Sequence, residues 1–74
     1  MNKNELRAQM ARHGDTNKSL SEVLGISSAA FSKKINAVYD FRQTEIQIII
    51  DRYSLDADAV DNIFFTHAVS LNET

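Results

Sequence analysis

Six side chains able to hydrogen-bond or carry charge, Ser27, Ser28, Ser32, Lys33, Lys34 and Asn36, fall within the stretch "SSAAFSKKINA". Ammonium groups neutralise phosphate oxygens, while lysine, asparagine and serine can also reach base edges or the polar groups of another protein. If the stretch is helical, Ser28, Ala29, Ser32, Lys33 and Asn36 are presented outward. Upstream, Asn17 and Lys18 stand where a preceding helix would begin, a second place for phosphate contact.

The remaining reactive residue types do not assemble into a catalytic set. There is no cysteine, and the two histidines, His13 and His67, lie far apart, which leaves no thiolate or zinc-site spacing. No Ser/His/Asp arrangement or glycine-rich phosphate loop occurs. Asp56, Asp58 and Asp61 lack the glycine and closing glutamate of a calcium loop and read as charge at a helix start. The expectation is a protein that is not an enzyme and takes no cofactor, no metal and no small-molecule substrate.

Charge is distributed unevenly. Residues 1–50 hold seven Lys/Arg against five acids, whereas residues 51–74 hold one against five, which together give the net −2. A mildly basic front thus precedes an acidic end, and local positive charge is what a phosphate backbone requires. No apolar run approaches the length of a membrane span, so no membrane partner is expected and a cytoplasmic setting is.

Those polar side chains need a scaffold, and 74 residues without proline suffice for one domain. A first helix is expected from Asn2, whose side chain and that of Glu5 form a capping box, to Gly14; Leu6 and Met10 face inward. Asp15 or Thr16 caps a second helix over 17–24 that buries Leu20, Val23 and Leu24. Gly25 ends it, Ile26 plugs the core, and Ser27 caps a third helix, through about Asn36, burying Ala30, Phe31 and Ile35. Residues 37–42 form a loop, with Phe41 packed under a fourth helix over 43–53 that buries Ile46, Ile49, Ile50 and Tyr53 and leaves Ile48 off the stripe. A fifth helix, capped by Asp56, turns Val60, Ile63 and Phe64 inward. Alternation at Phe65, His67, Val69 and Leu71 suggests a short extended arm over about 65–74. The expected fold is all-α: a compact bundle of about five short helices with a helix-turn-helix at about 17–36.

The string "TNKSLSEVLGISSAAFSKKINA" resembles the helix-turn-helix of the XRE/Cro-like family of phage repressors. Thr16, Leu20, Glu22, Leu24, Gly25, Ile26, Ser27, Phe31, Ser32 and Asn36 fall on the family pattern in register. The continuation "F-x-x-x-E-I" from Phe41 to Ile46, with "IFF" at 63–65, is similar to small regulators of temperate phages. The resemblance covers nearly the whole chain. It implies a transcription regulator in a bacterial host cell whose third helix enters the major groove of operator DNA, working as a homodimer paired through its C-terminal part. DNA or partner contact then falls to Asn17, Lys18, Ser28, Ala29, Ser32, Lys33, Lys34 and Asn36.

Three departures bear on that implication. Asn17 replaces the usual glutamine, Ala37 replaces the closing glycine, and Ser28 and Ala29 occupy the main base-reading positions. Alanine offers only an apolar contact to a thymine methyl. The alternative is an antirepressor, a modulator that docks the same surface on a cognate phage repressor, with its acidic end imitating phosphate.

Overall fold

The computed structural model describes residues 1–65, which form α1 (Lys3–Arg12), α2 (Asn17–Leu24), α3 (Ser28–Ile35), α4 (Gln43–Tyr53) and α5 (Ala57–Phe64). No strand occurs among the described residues, so the expected all-α bundle is the fold observed. Each short helix leaves amides and carbonyls without intrahelical partners. Polar side chains stand at four of the five starts. Asn2, Thr16, Ser27 and Asp56 accept from the amides of Glu5, Ser19, Ala30 and Ala59 at 3.2, 3.1, 3.0 and 2.8 Å. At the fourth helix the Glu45 carboxylate instead reaches back to the Arg42 amide at 2.8 Å.

One expectation about caps is resolved and one changes. Thr16, not Asp15, caps α2, and a reciprocal box forms there through the Ser19 hydroxyl, which accepts from the Thr16 amide at 2.9 Å. At α1 only the Asn2 half of the expected box forms, because the Asn2 amide already donates to the Ile63 carbonyl at 2.7 Å. That bond joins the chain's start to α5, the helix α1 packs against.

Four helices end in one way. Gly14, Gly25, Ala37 and Ser54 all have positive φ, at 74°, 74°, 64° and 51°. The next amide in each case donates back into the last turn: Asp15 to Met10, Ile26 to Ser21, Val38 to Lys33 and Leu55 to Ile50, at 2.8, 3.0, 2.8 and 3.0 Å. This is the Schellman arrangement, which satisfies carbonyls that a helix end would leave bare. Ala37 therefore makes the turn that the resemblance assigns to glycine, although its Cβ disfavours the conformation. Ala37→Gly is expected to raise stability by roughly 0.5–1 kcal/mol, the left-handed penalty less glycine's greater unfolded-state freedom. The urea midpoint should rise at unchanged slope; a lower midpoint would contradict a left-handed residue 37 in solution.

The core draws on every helix: Leu6 and Met10, Leu20 and Leu24, Phe31 and Ile35, Ile49 and Tyr53, and Ile63. Full burial of such side chains contributes about 1.5–3 kcal/mol each. Phe41 packs against the core, its ring edge-on to Phe31 of α3 at 5.9 Å and to Phe64 of α5 at 6.3 Å between centroids, where the expectation placed it under α4. The burial stripe of α2 differs from expectation, since Val23 is exposed and Ser21 is buried. The Ser21 hydroxyl satisfies itself on the Lys18 carbonyl at 2.7 Å, and its small size lets α3 approach. Ala30 is half-buried, as are Ile46, Ile50, Val60 and Phe64. Ile48, expected off the stripe, is half-buried and packs against the core. Phe65 closes α5 by donating to Asp61 at 3.1 Å; the rest of the expected arm, with His67, Val69 and Leu71, lies outside the described residues. Among the described residues no helix is long and apolar enough to cross a membrane.

Candidate nucleic-acid interface

The α2 and α3 helices pack directly on each other across the turn Gly25–Ile26–Ser27. Phe31 and Ile35 anchor α3 from below, fully or almost fully buried. Their spacing turns Ser28, Ala29 and Lys33 away from the core, and all three are exposed. Asn36 is exposed just past the helix, and Ser32 is half-buried beside them. Lys18 is exposed in the first turn of α2, with Asn17 half-buried at its start. The helix-turn-helix thus brings most of the expected contact residues onto exposed positions around α3 and the start of α2.

Some of these side chains have partners within the protein. The Ser28 hydroxyl lies 3.4 Å from that of Ser21, a long contact that leaves it able to turn outward. The Asn36 side-chain oxygen accepts from the Lys3 ammonium at 3.3 Å, which links α1 to the end of α3.

Lys34 departs from expectation. Its ammonium donates to Glu45 at 2.6 Å, with the two side chains 11% and 6% exposed. Burial raises the Glu45 carboxyl, but hydrogen bonds from Lys34 and the Arg42 amide outweigh it and hold it below the ordinary glutamate value. Releasing Lys34 to a phosphate would strand that carboxylate, so Lys34 fastens α3 to α4 and lies beside a groove it shares with Phe41, Ile46 and Phe64. Lys33 and Lys18 remain as the exposed cations of the expected set. Glu45 is the residue that sequence reasoning left without a role. The signal for it was the glutamate three residues into α4, the position from which a side chain can reach back to the preceding amide.

A second cluster sets where α2 begins. The Asp15 carboxylate, 4% exposed, accepts from Arg52 Nε at 2.8 Å. It also accepts from Arg52 Nη2 at 2.9 Å, Tyr53 Oη at 2.6 Å and Ser19 Oγ at 2.8 Å. The Arg52 hydrogen bond does most to hold this carboxyl well below the usual aspartate range, against the opposing effect of burial, with Tyr53 and Ser19 adding to it. Burial and the Asp15 hydrogen bond push the Tyr53 phenol up. His13 stacks on the Tyr53 ring at 4.6 Å. The cluster ties the α1–α2 junction to the end of α4 and so fixes the platform that carries Asn17 and Lys18.

Comparison with known proteins finds no matching family model, no matching curated protein and no matching solved structure.

Proposed function

We propose that this chain is a small Cro-like transcription regulator of a phage genetic switch, acting in the bacterial cytoplasm by laying α3 in the major groove of operator DNA. The observation that carries this reading is the exposed row of Ser28, Ala29, Lys33 and Asn36 around an α3 that Phe31 and Ile35 hold in place, beside an exposed Lys18. In this role Lys33 contacts bases or phosphates, Ser28, Ser32 and Asn36 assist, Ala29 meets a thymine methyl, and Lys18 with Asn17 meets the backbone. A homodimer would match a two-fold operator. The test is a gel-shift assay on the DNA flanking the protein's own gene at low salt. Lys33→Ala should weaken binding by about 1–3 kcal/mol and relax sequence preference, whereas Lys18→Ala should weaken all sequences alike and lower the salt slope by about 1. No specific shift by the wild-type protein would sink the proposal.

A second reading, an antirepressor docked on a cognate repressor, is favoured by a specific feature of the surface. Lys34 is taken up by Glu45, while Val38 and Tyr39 are 63% and 56% exposed next to α3. Repeating the assay with that repressor separates the readings: loss of the repressor's own shift, with none from this chain alone, selects the second.

A further inference from the structure

Two backbone amides and one aromatic ring converge on Lys33. The Schellman turn through Ala37 brings the Val38 amide onto the Lys33 carbonyl at 2.8 Å and the Tyr39 amide onto it at 3.4 Å. The same turn sets the Tyr39 ring under the Lys33 ammonium, 5.8 Å from the ring centroid. The two ion pairs among the described residues, Lys34 with Glu45 and Arg52 with Asp15, leave Lys33 no carboxylate. Tyr39 itself is largely exposed, so its ring is not held there by core packing.

We infer that Tyr39 is a positioning residue, whose ring holds the Lys33 ammonium at the end of α3 for contact with DNA. A lysine on four rotatable bonds otherwise samples many positions, and fixing it on binding costs entropy. A ring face attracts the cation and narrows that range before DNA arrives. The inference rests on the DNA-binding reading, and its experiment separates the two.

Tyr39→Leu keeps apolar bulk and removes the ring, while Tyr39→Phe keeps the ring and removes the hydroxyl. In the free protein, the ring should shift the Lys33 side-chain methylene protons upfield in NMR spectra; Tyr39→Leu should abolish that shift and Tyr39→Phe retain it. On specific DNA, Tyr39→Leu should weaken binding about two- to fivefold, the size of an exposed cation–π contact. In a Lys33→Ala background it should have no further effect. Equal losses in both backgrounds, or Lys33 proton shifts that ignore the ring, would overturn the inference. Absence of specific binding by the wild-type protein would defeat the DNA-binding reading and the role of Tyr39 within it, while a ring-dependent Lys33 shift would show the internal contact to stand.

Discussion

Phe31→Ala is expected to remove a large part of the protein's stability, up to nearly all of it. Phe31 is fully buried in α3 and its ring meets Phe41, which in turn meets Phe64, so one side chain links α3 to the loop beneath it and to α5. Removing a buried ring costs about 3–5 kcal/mol, because the site loses transfer energy and cannot wholly collapse. A domain of this size has in total roughly 4–11 kcal/mol at the usual stability per residue. Thermal and urea melts should therefore show the transition moved to much milder conditions. Phe31→Leu, which keeps most of the apolar volume, should fall well short of that loss. A native melting curve for Phe31→Ala would refute the packing of α3, and with it the outward placement of Ser28, Ala29 and Lys33.

That dependence shows why the scaffold was easier to read than the site. Gly25, Ser27 and the spacing from Leu20 to Leu24 are local signals, each tied to one turn of backbone, and the helix-turn-helix appears where they put it. The partner of Lys34 was not legible in the same way. Glu45 is eleven residues further on, and only the path of the loop between them brings the two together, so a cation that reads as part of a basic helix face becomes a tertiary fastener. Asp15 shows the same conflict at a cap. Beside Thr16 it looks like a competitor for the start of α2, yet Arg52 and Tyr53 draw its carboxylate toward α4. Local preference lost in both cases to partners contributed from a distant helix.

The left-handed turns carry a related lesson. Gly14 and Gly25 announce positive φ, but Ala37 and Ser54 adopt it without such a signal because flanking helices determine the path. Where the residue after the turn is apolar, it packs on the core at Ile26 and at Leu55. Val38 is instead exposed. The turn after α3 is thus built like the others but delivers its apolar residue, and Tyr39 after it, to the surface that Lys33 occupies.

Asp15→Ala is expected to combine a loss of stability with a change in its dependence on acid. The substitution removes the carboxylate that accepts from the Tyr53 hydroxyl at 2.6 Å, in a residue only 4% exposed. An unpaired buried hydroxyl costs about 1–3 kcal/mol, and each kcal/mol lowers the melting temperature by about 4–8 °C in so small a domain. Arg52 turns to solvent and adds little. The pH effect has a definite sign. Folding lowers the Asp15 carboxyl below its ordinary value of 3.8, so the unfolded chain takes up the proton first as the medium is acidified. The stabilisation is complete above that value and is lost progressively as pH falls below about 4. Asp15→Ala should therefore be less stable than the wild type at neutral pH and converge toward it in acid. Some acid sensitivity should persist, because Glu45 is lowered as well. Urea melts at a series of pH values from neutral to strongly acidic measure this directly, and curves for the two proteins that stay parallel throughout would contradict an ionised, hydrogen-bonded Asp15 at the start of α2.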